Sequence, residues 1–464
     1  MTQNPAFMTS QELTRAYEAR ALSPVEALEA VLARLDAENG RLNAFNVVDP
    51  ETGRRMARDS EARWRAGAAL GPLDGVPISL KDTNGVVGWP FRNGSHTTPE
   101  GPCAFDHPAV ARLREGGAVF FGKTTTPEFG WKGVTDSPLT GITRNPWNPD
   151  RTPGGSSGGA VVAVTCGIGP VALGGDGGGS IRMPGAFTGV YGIKPTTGRV
   201  PSLPGGPMGT MVGPGPMVRT VADCARFLDV VSAPDDRDPF AVPPAPTGFE
   251  ACLSQGVAGL RIGFSVDMGY IRVVDPEVAE LVTAAVRVLE EAGATVETAV
   301  PGFEDPRPAL DVLWKTCHAW LLSGIPREKH ALIDPGLVAC AEAGATMSSV
   351  AHLEAQAVRA RMSQAMQAFH RRFDLLVTPT MPIAAFGAGL LTPDRGRFPE
   401  WWDWSPFTWP FNMTRQPAAT CPCGFSRDGL PIAMQIVGPL FREDLVLRAS
   451  AAFEARRPFK MARH

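Results

Sequence analysis

Gly174-Gly175-Asp176-Gly177-Gly178-Gly179-Ser180-Ile181-Arg182 is the stretch that decides how this 464-residue chain reads. The apolar run over 170–173 just before it predicts a short strand. Three consecutive glycines weaken a helix or strand interior, so the strand must end there in a turn of bare backbone. Such a turn presents successive N–H groups, at Gly177, Gly178, Gly179 and Ser180, with no side chains over the first three. Converging backbone donors beside a hydroxyl are what an acyl-transfer site needs: a nucleophile and a hole for the oxyanion.

A serine hydroxyl attacks well only when a base removes its proton. Two other stretches offer the parts. Val76-Pro77-Ile78-Ser79-Leu80 predicts a buried strand delivering Lys81, and a lysine becomes a base when burial lowers its pKa towards neutrality. Gly154-Gly155-Ser156-Ser157-Gly158-Gly159 places Ser156 in a loop of tiny residues, where a hydroxyl can both accept and donate and so relay a proton.

Other motifs fail on context. Gly117 to Thr124 fits a phosphate-loop pattern, but its variable positions are strand-like and Pro127 blocks the helix that should follow. Gly154 to Gly158 fits a nucleophile elbow around Ser156, yet Asn148-Pro149-Asp150-Arg151-Thr152-Pro153 cannot be the strand an elbow requires. A Ser-His-acid esterase with Ser156 as nucleophile would need a general base from His318, His330, His352 or His370, and no local context marks one out. Cys421-Pro422-Cys423 lacks the second pair a metal site would need, so no metal and no cofactor are expected.

Taken together, the runs at 154–159 and 175–182 and the stretch Gly75-Val-Pro-Ile-Ser-Leu-Lys81-Asp82 closely resemble the amidase signature family. The spacing agrees: 75 positions from Lys81 to Ser156 and 24 more to Ser180. The likeness continues to Asp428-Gly429-Leu430-Pro431 and Gly438-Pro439. It implies a Ser–cis-Ser–Lys triad, in which Ser180 attacks the carbonyl and Ser156, after a cis peptide bond, relays protons to Lys81. It also implies a supporting ion pair between Asp176 and Arg182. One departure stands out: the family commonly has Thr where this chain has Gly177.

The resemblance implies an amidase acting through a Ser180 acyl-enzyme, with esters and carbamates open to the same chemistry. A glutamine-hydrolysing subunit of a tRNA-dependent amidotransferase is the alternative within the family. Four tryptophans fall between Phe398 and Trp409, and this density predicts a loop whose rings face the substrate pocket, Trp402, Trp404 and Trp409 among them. The family's substrate segment corresponds to Phe129, Gly130 and Trp131. Small or aryl and hydrophobic amides are the expected substrates.

Composition sets the frame. With 44% hydrophobic residues the chain can build a sizeable core, and 51 glycines and 44 prolines imply many turns. A net charge of −3 gives no reason to expect nucleic acid as a partner. The N-terminus carries no basic and apolar leader, so the cytoplasm is the expected location, with no membrane association. Eight scattered cysteines read as reduced thiols.

Ser23-Pro24-Val25-Glu26 forms a capping box for a helix, with Gly40 as its expected stop. A second helix is expected over 51–66, with Gly67 just past its end. Further helices are expected over 107–115, 158–166, 275–292 and 441–455. Strands are expected over 118–121, 260–264, 294–298 and 373–377, and Asp428-Gly429 marks a hairpin. Strands alternating with helices predict an α/β fold: a large mixed, mostly parallel central sheet flanked by helices on both faces. No linker breaks the chain, so one domain over 1–464 is expected, as a monomer or homodimer. Its signature core spans about 70–200, and a helical and aromatic-loop region over about 300–410 covers the active site.

Overall fold

The computed structural model describes residues 4–203, 206, 208–245 and 247–462. Its strands are β1 (Phe45–Val48), β2 (Pro77–Lys81), β3 (Val119–Thr124), β4 (Asp136–Ser137), β5 (Gly141–Ile142), β6 (Val171–Asp176) and β7 (Tyr191–Lys194). They continue with β8 (Gly213–Val218), β9 (Arg261–Phe264), β10 (Thr295–Thr298), β11 (Leu375–Pro379), β12 (Ala418–Phe425) and β13 (Pro431–Val437). Apart from the β4–β5 ribbon, they form one sheet in the order β1-β3-β2-β6-β8-β7-β12-β13-β11-β9-β10.

The sheet is mixed, as expected, with its parallel pairings in two wings. β3–β2–β6 make one and β11–β9–β10 the other. Between them β8, β7, β12 and β13 run antiparallel to their neighbours, and β1 adds an antiparallel edge. Antiparallel pairing therefore takes the middle of the sheet, where the alternation of strands and helices suggested parallel strands. For β12 and β13 the physical reason is the tight Asp428-Gly429 turn, since a short connection can only reverse direction; β8 returns between β6 and β7 after the longer segment 195–212. Pro214 and Pro216, which cannot donate to a ladder, lie in the half of β8 that β7 leaves unpaired.

The helices form where caps and periodicity predict them, with one difference at a terminus. Ser23 and Glu26 make the reciprocal capping box of the helix Pro24–Leu42. That helix passes through Gly40 and stops at Asn43, which takes the left-handed conformation at φ 53°. Asparagine tolerates that region, so it competes with glycine as a stop. Gly67, at φ 67°, ends the helix Pro50–Ala66 as expected.

The parallel wing positions the site. β2 and β6 run side by side, Ile78 opposite Val171 and Leu80 opposite Leu173. Their C-terminal ends therefore open on the same edge, where α/β sheets place their ligand sites. The helix Gly158–Thr165 packs against β6 and runs back along it, so Ser156 and Ser157, just before its start, reach that same edge. Lys81, Ser156 and the 177–180 turn, far apart in sequence, thus meet for a topological reason.

Candidate active site

Lys81 is the last residue of β2 and is buried. Its Nζ donates to Ser156 Oγ over 2.7 Å. Burial lowers its pKa from 10.5 to about 7, against the opposing pull of the Asp176 charge. Neutral lysine is then well populated at ordinary pH, so the amine can take a proton from the hydroxyl it touches. The peptide bond Gly155–Ser156 is cis. Gly155 must be glycine here: a Cβ would lie 2.7 Å from the Val134 backbone.

The glycine turn is built around Asp176. Its carboxylate accepts from the Gly179 N–H at 2.7 Å, the Ile181 N–H at 3.2 Å, Arg182 Nε and Nη2 at 3.0 Å each, and Asn412 Nδ2 at 2.8 Å. Burial pushes this carboxyl up, but the Arg182 charge and the hydrogen bonds outweigh it and hold the group well below the usual carboxylate range. Arg182 is itself wholly buried and also donates to Thr408 O, Gln435 Oε1 and Asn412 Oδ1. The Asp176–Arg182 pair is thus an internal frame for the turn, with every charge compensated.

That frame revises the set of oxyanion donors. The Gly179 N–H is committed to Asp176, leaving those of Gly177, Gly178 and Ser180 with no acceptor among the described residues. Gly179 itself holds φ at +124°, and a Cβ there would collide with Thr408 Oγ1, so the turn closes only with glycine. Ser157 ties the two glycine runs together: its N–H donates to Ser180 O and its Oγ to Gly175 O, both at 3.1 Å.

Lys81, Ser156, Ser180 and Gly177 all line one cavity of about 490 Å³. No hydrogen bond joins the two serine hydroxyls; such contacts in unliganded sites often tighten only with substrate bound. Phe91, Phe129 and Gly130 form part of the wall. The helix Arg307–Ser323 forms another part, with Trp314, Cys317, His318 and Leu321 at helical spacing and Trp320 at the exposed rim. Lys81 is the only charged side chain among these lining residues.

The aromatic loop lies elsewhere. Trp402, Trp404 and Trp409 do not reach this cavity, which corrects their expected substrate contact. Trp404 stacks on Phe187 and meets Phe386 edge-on; Trp402 and Trp409 border a separate cleft beside Arg307 and Asp403. Trp131 is buried too, its carbonyl accepting from Trp314 Nε1. Large rings gain more from full burial against other rings than from a half-wet pocket wall. The loop backs the glycine turn instead: Thr408 Oγ1 donates to Gly178 O at 2.8 Å, and Trp401 lies against Gly178.

The competing motifs resolve the same way. Lys123 sits inside β3, buried and paired with Asp82 at 2.8 Å, so no phosphate loop forms. The histidines offer no base: His318 borders the cavity but bonds neither Ser156 nor Ser180. Asn412, Thr408 and Gln435 escaped the sequence reading because none belongs to a motif, while Ser157 lay in the glycine-serine run without a role of its own. The periodicity of 314, 317, 318 and 321 would have identified a helix face, but not that the face borders a cavity.

The fold is that of an amidohydrolase, and comparison with known proteins agrees. The Amidase family model matches residues 26–447, and the chain belongs to the amidase signature family. It is 37% identical to an acylamidase of Rhodococcus erythropolis, covering 98% of this chain and 97% of that protein. It is 33% identical to a glutamyl-tRNA(Gln) amidotransferase subunit of Chloroflexus aggregans, over 97% of this chain and 96% of that one. Among solved structures, a bacterial aryl acylamidase of the amidase signature family superposes with a TM-score of 0.89 at 30% identity, covering 98% and 97% of the two chains.

Proposed function

We propose that the chain hydrolyses small amides with an apolar or aryl group through a Ser180 acyl-enzyme. Neutral Lys81 draws a proton through Ser156 from Ser180 Oγ as that oxygen bonds to the carbonyl carbon. The N–H groups of Gly177, Gly178 and Ser180 hold the oxyanion. The proton returns through Ser156 to the leaving nitrogen as the C–N bond breaks. Water then attacks the ester by the same relay, releasing the acid and restoring Ser180.

The observation that carries the substrate class is the lining: Phe91, Phe129, Met208, Val212, Trp314 and Trp320, with no charge but Lys81. Glutamine would bring an α-carboxylate and an α-ammonium into that wall with no charged partner but Lys81 among the described residues, at a cost of several kcal/mol. This argues against the amidotransferase alternative. Among the described residues no helix is long and apolar enough to cross a membrane, and no group of His, Cys, Asp and Glu is arranged to hold a metal ion.

A fluorophosphonate followed by peptide mapping tests the mechanism: modification at Ser180 is expected, and modification at Ser156 would overturn it. Hydrolysis of N-acyl anilides should exceed that of glutamine by orders of magnitude in kcat/KM. Comparable ammonia release from glutamine would overturn the substrate class.

A further inference from the structure

His318 is the one imidazole on the cavity wall among the described residues, and its geometry determines which of its nitrogens is free. The ring Nδ1 lies 2.7 Å from the Trp314 carbonyl oxygen. A carbonyl can only accept, so Nδ1 carries the hydrogen and the neutral ring must present a lone pair at Nε2. Burial keeps the ring neutral, lowering its pKa to about 4. Among the described residues Nε2 meets no donor, although the residue is buried and borders the cavity.

Its place relative to the turn follows from its neighbour. The Trp314 ring lies 5.1 Å from the imidazole, centroid to centroid, and its far edge would be 3.5 Å from a Cβ on Gly178. His318 therefore stands one ring's width from the backbone that includes Gly178 and ends at Ser180. His318 and Ser180 line the same cavity, so a substrate that fills it meets both. An acceptor there has a use only if the ligand brings a donor.

We propose that His318 Nε2 accepts a hydrogen bond from an N–H of the bound substrate and so makes His318 a specificity-determining residue that favours amides bearing an N–H over esters. The inference rests on the cavity being the acyl-transfer site. An N-acyl anilide supplies the donor at its scissile bond; the matched phenyl ester, with the same acyl group, has none. An Nε2 that the bound substrate shuts off from water and that faces an ester oxygen meets a second lone pair instead, so the site loses a bond and gains a repulsion.

The test compares kcat/KM for the anilide and the matched ester in the wild type, His318→Phe and His318→Gln. In His318→Phe the anilide-to-ester ratio should fall about tenfold, the range expected for one neutral hydrogen bond. In His318→Gln, whose side-chain oxygen restores an acceptor, the ratio should recover at least in part. The same comparison with an acyl group carrying its own N–H distinguishes a contact at the leaving side from one at the acyl side. If both ratios stay within twofold of wild type in both variants, His318 only fills space and the proposal fails. Labelling of Ser180 by a fluorophosphonate, which has no N–H, should still go to completion in His318→Phe. Loss of that labelling in the variant alone would overturn the proposal by assigning His318 to the catalytic relay, whereas failure of labelling at Ser180 in the wild type would overturn the mechanism beneath it.

Discussion

Replacing Lys81 with methionine should destroy activity and strengthen the fold, with the gain depending on pH in a defined direction. Burial lowers the Lys81 pKa from 10.5 to about 7. Above 10.5 the amine is neutral in both folded and unfolded chains and no penalty applies. Between 10.5 and 7 the unfolded chain binds a proton that the folded one lacks, so stability rises with pH across this window. Below 7 both forms are charged and the penalty is at its full value. At about 1.36 kcal/mol per pH unit, the buried amine costs the fold about 4 kcal/mol at pH 7. Methionine escapes that cost but gives up the hydrogen bond to Ser156 Oγ, worth about 1 kcal/mol. The variant should therefore be more stable by about 3 kcal/mol at pH 7 and equal to or slightly weaker than wild type above pH 10. Urea midpoints for both proteins at several pH values measure it, and the difference curve cancels every group the two share. A difference that does not change with pH would refute the argument that Lys81 is a desolvated amine. In the wild type the same pKa predicts a kcat/KM that rises with pH through about 7, because the base must be neutral.

Asp176→Asn removes the counter-charge of a wholly buried Arg182 and should cost about 3–5 kcal/mol, read as a fall in Tm. Because the Asp176 charge raises the Lys81 pKa, the acid limb of any remaining activity should move to lower pH. Gly179→Ala puts a methyl against Thr408 Oγ1 at a positive φ and should reduce kcat by about a hundredfold or more as the turn shifts, measured with an anilide. Trp404→Ala opens the core beside Phe187 and Phe386 and should cost about 3–5 kcal/mol while leaving KM for the anilide near wild type. Trp320→Ala should do the reverse, raising KM several-fold with Tm unchanged, since the ring is 56% exposed at the cavity rim.

Much of the site was readable before any fold was known, for a physical reason particular to it. Glycine runs report backbone that must turn or be approached closely, and that requirement is local. The 154–159 and 175–180 stretches therefore announced themselves, and Lys81 stood out as a charge at the end of a run with no other. Gly177 also became clearer. A Cβ there would come within 3.0 Å of Val212 Cγ2, so Val212 already closes over the space that the family's side chain would take. The aromatic segment misled because density of tryptophan signals burial without saying against what. Its rings pack on Phe187, Phe386 and one another, while the cavity takes its indoles from 314 and 320, on a helix no motif marks.

Residue spacing and backbone chemistry alone determined that one strand delivers Lys81, that another ends in a bare turn after 176, that a small-residue helix starts after Ser157, and that the chain forms an α/β sheet. These follow from interactions within a few positions of each residue. Only the tertiary structure decided the environment of Lys81, the tautomer of His318, the loss of the Gly179 N–H to Asp176, and which rings line the cavity. Lys81 and the rings depend on burial, and the His318 tautomer on a carbonyl four positions back in a helix that burial keeps dry. The Gly179 bond depends on an Asp176 held by partners more than two hundred positions away, such as Asn412, while Thr408 holds Gly178. Desolvation and long-range hydrogen bonds are properties of the assembled interior, and no local pattern carries them.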